Sequence, residues 1–148
     1  MPQKSSDVIG YPTGLFHELR LCYEKLRRIA DTALGPLKLN LREASALAIS
    51  CHSRLSQVHL ATRLELHPNA IVKIVDTLQR RGYVKRERNP ENRREYVVVC
   101  TQKGKEMSQV ADGALARIER QLLHTISHSD QAAFIRTLRV LSKTKPRI

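Results

Sequence analysis

Seven cations crowd into residues 80–94: Arg80, Arg81, Lys85, Arg86, Arg88, Arg93 and Arg94. Only Glu87 and Glu91 oppose them, which leaves a net charge of +5, the steepest local gradient in the chain. Cations packed this closely suit one chemistry above others, the neutralisation of phosphates along a nucleic-acid backbone. A second set of groups lies just upstream. Asn69, Lys73, Asp76 and Arg80, with Val72 beside them, fall on one side of a helix at 3.6 residues per turn. Asn can pair bidentately with adenine, Lys reaches guanine O6 and N7, and a valine can meet the thymine methyl. Asp76 alone would repel phosphate; four residues before Arg80, it reads as that arginine's partner. Ile71, Ile74, Val75 and Leu78 occupy the other side and must be buried.

The whole 148-residue chain shares the bias, with 26 Lys and Arg against 14 Asp and Glu and a formal net charge of +12. Its partner is expected to be a polyanion, nucleic acid before an anionic membrane surface. Hydrophobic residues make up 41%, enough for a folded core and against a disordered basic tail. Two Phe, four Tyr and no Trp are too few to hold single strands by serial base stacking. The longest apolar run, Tyr96 to Cys100, is far too short to span a membrane. Residues Met1 to Asp7 lack the apolar core of a signal peptide. Cys22, Cys51 and Cys100 are scattered and read as no disulfide framework, so a reducing cytoplasm is expected. Phosphate-binding Gly-rich loops, CxxC, HExxH, catalytic triads and paired carboxylates are all missing. No enzymatic activity, cofactor or metal is expected. His124 and His128 stand four apart, a metal spacing, but Ser127 between them reads as the start of a new helix.

Positioning these groups requires a mainly α fold. Residues 1–12 read as a flexible arm and 13–148 as a single domain. Thr13 caps a first helix whose apolar seam, Leu15, Leu19, Cys22, Leu26, Ile29 and Ala33, steps by four and three until Gly35-Pro36 ends it. Asn40 and Glu43 form a capping box for a second helix running to about Cys51, with Ala44, Leu47 and Ala48 inward. Ser53-Arg54-Leu55 is a connection, and Ser56 caps a third helix, Gln57 to Leu64. After the turn Glu65-Leu66-His67, Pro68 opens a fourth helix to Arg81, closed by a left-handed Gly82. Two strands follow, Tyr83 to Arg88 and Glu95 to Cys100. Thr101 caps a long fifth helix with Met107, Ala111, Ala114, Ile118 and Leu122 on its stripe. Ser127-x-x-Asp130 opens a sixth, with Phe134, Ile135, Leu138 and Leu141 inward. Helix, three-residue turn, helix and two-stranded wing make a winged helix-turn-helix over 40–100, flanked by long helices at 13–36 and 101–142. The DNA-contact candidates are then Ser56, Gln57, His67 and Pro68 at two helix starts, Asn69, Val72, Lys73 and Arg80 on the fourth helix, and Arg86, Arg88, Arg93 and Arg94 on the wing.

The specific sequence runs from Leu60-Ala61-x-x-Leu64 to Gly104. It includes Ile71-Val72-Lys73-Ile74-Val75-Asp76-x-Leu78-x-x-Arg81-Gly82-Tyr83-Val84, then Asn89-Pro90-Glu91-Asn92-Arg93-Arg94, then Val98-x-Cys100-Thr101-x-x-Gly104. This run resembles the recognition helix, wing and wing exit of the MarR family of bacterial transcription factors, and the likeness extends over about residues 13–141. The resemblance implies a homodimer built from the first, fifth and sixth helices, bound to palindromic duplex DNA. It implies a repressor, since many members are repressors released by small phenolic or anionic ligands or by oxidation. The family's wing motif Asp-x-Arg falls on Asn92-Arg93-Arg94, which makes Arg94 the minor-groove arginine. Three residues depart from the pattern. Asn92 stands for the Asp that steers the tip, His67 for a capping Ser or Thr, and Glu65 for a turn Gly.

By the same resemblance an effector pocket lies between the dimer helices and the DNA-binding lobe, with Arg20, Tyr23, His52 and Arg54 as lining groups. Cys22, followed by Tyr23, is the candidate for a redox sensor, although its place on the seam also suits a small core residue. Cys100 reads as core and Cys51 as core or inert. Two alternatives stay open: a basic winged helix that coats nucleic acid without an operator, and a MarR-like regulator switched by cysteine oxidation.

Overall fold

The computed structural model describes residues 14–145. The arm at 1–12 and the Thr13 cap lie outside them. The elements are α1 (Gly14–Leu34), a 3-10 turn (Gly35–Leu37), α2 (Leu41–His52), β1 (Leu55–Ser56), α3 (Gln57–Leu64), α4 (Pro68–Arg80), β2 (Val84–Arg88), β3 (Tyr96–Cys100), α5 (Gln102–Leu123) and α6 (His128–Lys143). Among these, no helix is long and apolar enough to cross a membrane.

Local chemistry sets most of the boundaries. Asn40 Oδ1 accepts from the Glu43 amide at 2.9 Å and Glu43 returns a carboxylate to the Asn40 amide at 3.1 Å, the expected reciprocal cap of α2. Thr101 Oγ1 takes the Gly104 amide at 3.0 Å and Ser127 Oγ takes that of Asp130 at 3.2 Å, opening α5 and α6. Gly82 adopts φ +75° after α4, as its sequence position demands. The core then closes around Leu34, Leu47, Leu60, Ile71, Val75, Leu78, Val84 and Val98, all essentially inaccessible. Three of these lie on the inner side of α4. At roughly 1.5–3 kcal/mol per buried aliphatic side chain, that side fixes which way α4 turns its polar residues.

The segment Ser53-Arg54-Leu55 holds more structure than a connection. Leu55 pairs with Val98 and Ser56 with Val97, so a two-residue strand makes the sheet three-stranded, in the order β1-β3-β2, antiparallel throughout. Tyr83 and Glu95 fall just outside the strands proposed for them.

Two apolar faces differ from expectation in the single chain. On the α1 seam Leu15, Leu19 and Leu26 are exposed in the single chain, and so is Cys22. Helix α6 buries nothing fully, and Phe134 and Leu141, placed inward by their spacing, are both 43% exposed. The cysteines bring a larger correction. Cys51, in the last turn of α2, is disulfide-bonded to Cys100, at the end of β3, with Cα atoms 4.8 Å apart. The expectation of no disulfide does not hold, nor does an inert Cys51, although both residues pack against the core. A separation of 49 residues leaves no local trace of such a pair.

Glu65 ends α3 at φ +52°. A side chain in the left-handed region costs about 1–2 kcal/mol, and glycine gives back roughly 0.5–1 through its greater freedom when unfolded. Glu65→Gly is therefore expected to raise stability by about 0.5–1 kcal/mol. A urea titration checks it, and a lower midpoint would mean that the glutamate side chain stabilises the turn.

Candidate nucleic-acid interface

Helices α3 and α4 meet at the Glu65-Leu66-His67 turn, and both carry side-chain caps. The Ser56 hydroxyl lies 3.0 Å from His59 Nδ1 and accepts from the His59 amide at 3.4 Å. His67, where a Ser or Thr was expected, does the same work with its ring: Nδ1 accepts from the Asn69 amide at 3.2 Å. Pro68 follows at the first helical position. Beyond it Asn69, Val72, Lys73, Asp76 and Arg80 are all exposed on the outer side of α4, as their spacing predicts. A shallow concavity bordered by Lys73, Asp76, Thr77, Gln79, Arg80 and Arg86 runs beside them.

Asp76 has a different partner from the one its spacing suggests. Arg80 donates instead to Thr77 Oγ1 at 3.2 Å. Asp76 Oδ1 accepts from Arg86 of β2 at 2.6 Å. The same guanidinium donates through its other nitrogens to Gln79 Oε1 and Gln57 Oε1, each at 2.7 Å. Arg86 thus joins the wing to both helices of the helix-turn-helix. A five-donor planar group suits this task, and lysine would not reproduce it. Sequence reasoning placed Arg86 and Gln57 among the DNA contacts and missed Gln79 altogether. Only the cross-element geometry shows the three acceptors converging.

The wing tip is held by its own amides. Asn92 Oδ1 accepts from the Arg94 amide at 3.2 Å and Asn89 Oδ1 from the Glu91 amide at 3.0 Å. Each is an Asx turn. Asn92 therefore keeps the backbone role open to an aspartate while removing its charge. Arg88 donates to the Arg93 carbonyl at 2.9 Å and lies 5.4 Å from the centre of the Tyr96 ring. The side chains of Arg93 and Arg94 are exposed, and among the described residues they form no ion pair.

Glu95 anchors the loop's return. Its carboxylate accepts from Asn89 Nδ2 at 3.0 Å. Asn89 first, and then the Ser56 hydroxyl, hold the Glu95 carboxyl below the usual carboxylate range. A carboxyl depressed on folding adds stability above its unfolded value near 4.5, and that stability disappears as pH falls through the lower folded value. Glu95→Gln is expected to flatten the acid limb of the stability curve between about pH 5 and 3. Thermal melts across that range check it, and parallel limbs for both proteins would refute the assignment.

In the single chain the four proposed ligand groups are spread over α1, the end of α2 and the segment before β1. Arg20 and Tyr23 are exposed on α1, and His52 is exposed at the end of α2. Arg54 is committed to Glu87 at 2.6 Å, which Lys85 also contacts at 2.7 Å. A more open groove of about 700 Å³ lies against α6, where Leu123, Ile135 and Val140 meet Arg136, Arg139 and Lys143.

The sequence model of the MarR family matches residues 39–96, the stretch from just before α2 to the first residue of β3. An uncharacterized HTH-type transcriptional regulator, YhbI of Bacillus subtilis (strain 168), is 26% identical over 126 residues, 84% of this chain and 80% of that protein. A MarR family transcriptional regulator from Rhodococcus sp. RHA1 superposes with a TM-score of 0.81 at 24% identity, covering 87% of this chain and 92% of its own. CouR from Rhodococcus jostii RHA1, bound to p-coumaroyl-CoA, superposes with a TM-score of 0.80 at 23% identity, over 91% and 96% of the two chains. CouR bound to a 23-mer DNA duplex gives 0.79 at 22%, over 91% and 100%.

Proposed function

We propose, from the match of the MarR family model to residues 39–96 and the winged-helix fold shared with MarR family structures, that this chain is a MarR-type duplex-DNA-binding repressor acting as a homodimer on a palindromic operator. Members of that family are transcriptional regulators rather than enzymes. The observation that carries the reading is the orientation of α4. Ile71, Val75 and Leu78 are fully buried, which turns Asn69, Val72 and Lys73 outward beside a wing ending in two unpaired arginines. An exposed helix of this kind fits the major groove, and a basic wing tip fits the neighbouring minor groove. CouR, of the same fold, binds a DNA duplex.

The homodimer rests on exposed apolar residues. Leu15, Phe16, Leu19 and Leu26 of α1, with Phe134, Val140 and Leu141 of α6, would face water in a single chain. Helices with such stripes stay soluble by pairing. Two recognition helices then reach successive major grooves about 34 Å apart. A dimer carries +24, twice the +12 of one chain. If it neutralises about eight to twelve phosphates, log K falls against log salt with a slope of about −7 to −11. A small-molecule effector that shifts the spacing of the two lobes is part of the proposal, supported by CouR's binding of p-coumaroyl-CoA. Arg20, Tyr23, His52 and Arg54 remain its candidate contacts.

Selection of fragmented duplex DNA by the purified protein tests the reading, run at physiological salt with excess competitor. Enrichment of a two-fold palindrome, lost in an Asn69→Ala, Arg94→Ala variant, is the expected result. Even recovery of all fragments would overturn it in favour of a protein that coats nucleic acid without an operator.

A further inference from the structure

We propose that Cys51 and Cys100 are a reversible dithiol–disulfide couple within one subunit, whose oxidation stiffens the base of the wing and tightens duplex binding. The last step rests on the DNA-binding reading above; the thiol chemistry does not.

Position carries the argument. Cys51 lies in the last turn of α2, and Cys100 ends β3 opposite Val84, the first residue of β2. The next residue, Thr101, caps α5 and receives the wing's exit through hydrogen bonds to the Gly82 and Tyr83 carbonyls. A bond between the two sulfurs therefore ties α2 to the point where both wing strands begin or end and where α5 starts. Unbonded sulfurs must stand markedly farther apart than bonded ones. Gly104 of α5 stands against Cys100, close enough that a Cβ added there would lie 2.9 Å from its sulfur. On reduction the two sulfurs separate, which loosens the wing base from the end of α2.

Both oxidation states can be accommodated. Both residues are partly exposed, so small oxidants and reductants can reach them. The Cys100 sulfur lies 3.5 Å from the Thr101 carbonyl, an acceptor for its S–H in the reduced form. DNA is held in a compartment where thiols are kept reduced, and a disulfide that forms there is usually transient and regulatory. The third cysteine, Cys22, is on α1, away from both elements that the bond connects, and is a free thiol.

With an organic hydroperoxide as oxidant, the steps balance. The Cys51 thiolate attacks the outer peroxide oxygen, the O–O bond breaks, and the alkoxide leaves and takes a proton as the alcohol. The Cys100 thiol attacks the resulting sulfenic sulfur, the S–S bond forms, and hydroxide departs with the thiol proton as water. Two thiols are oxidised, and one hydroperoxide is reduced to alcohol and water. A small dithiol reverses the bond by exchange.

The full-length protein is reduced with dithiothreitol, desalted, treated with cumene hydroperoxide and alkylated with iodoacetamide. Of the three cysteines, all are expected to alkylate before oxidation and only Cys22 after it, with a peptide cross-link joining Cys51 to Cys100 inside one chain. Free Cys51 and Cys100 after oxidation, or a bond from Cys22 between chains, would overturn the couple. Sheared duplex DNA then serves as the probe for anisotropy titrations of both forms. A several-fold tighter Kd on oxidation is expected, abolished in Cys51→Ser and kept in Cys22→Ser. Cys100→Val guards against a Cys51→Ser variant that fails to fold. A formed bond with unchanged Kd would overturn the regulatory step. If neither form binds duplex, the DNA-binding reading has failed while the alkylation result still decides the couple.

Discussion

Gly104→Ala is expected to destabilise the folded chain by about 3 kcal/mol or more, among the larger effects a single methyl can have. A Cβ at this position would stand 2.0 Å from the Tyr83 carbonyl oxygen and 2.9 Å from both the Tyr83 carbonyl carbon and the Cys100 sulfur. The obstacle is backbone, so no side chain can swing aside. That carbonyl is itself fixed, accepting from the Thr101 amide at 2.9 Å and the Thr101 hydroxyl at 3.1 Å. The clash must therefore separate the start of α5 from the start of β2, where the wing joins that long helix. Gly113, on the same helix, supplies the control. Nothing lies within 4 Å of its added Cβ, so Gly113→Ala is expected to gain up to about 1 kcal/mol from helix propensity alone. Urea denaturation of the two variants tests both signs at once. A Gly104→Ala loss below about 1 kcal/mol would mean that α5 can slide away from the wing at little cost.

The same contrast separates what could be read in the sequence from what could not. Local chemistry was legible wherever a few adjacent residues decide the outcome. Asn40 with Glu43, Pro68 at the start of α4, and Gly82 after it each act through neighbours within one turn. The inner side of α4 was legible because its period is that of the helix itself. Strand β1 was not: two residues have no period, and the pairing of Leu55 with Val98 is set from across the sheet. The disulfide and the partner of Asp76 failed for one reason. Spacing rules see i+4, but the partners that prevail arrive from 49 residues away in the first case and from β2 in the second. The seam of α1 was legible as apolar. Its exposure in the single chain is what the proposed homodimer would cover, a partner that sequence periodicity asks for without locating.

Arg86 is expected to serve DNA binding by positioning rather than by touching phosphate, and its variants can show the difference. Each of its three guanidinium nitrogens already donates within the protein, to Asp76, Gln79 and Gln57. Removing it leaves α4, α3 and the wing free to shift relative to one another. Arg86→Ala is expected to weaken operator binding on the order of 10–100-fold, the scale of one or two lost charge-assisted hydrogen bonds. A lost phosphate contact would also flatten the salt dependence, by about 0.9 in slope for each contact and about twice that in a dimer. Loss by misplacement leaves the slope unchanged and erodes the preference for operator over random duplex. Arg94→Ala, at the free wing tip, should do the reverse and flatten the slope. Arg86→Lys keeps the charge without the fork, so it should behave like the alanine variant. The sharpest sign comes from Asp76→Ala. It removes a negative charge from a surface proposed to meet phosphates, so charge alone predicts tighter binding. If Asp76 instead serves to seat Arg86, binding weakens with the salt slope unchanged. Tighter binding by Asp76→Ala would show that Arg86 is released to the DNA, and would return it to the set of phosphate contacts that its place in the basic run first suggested.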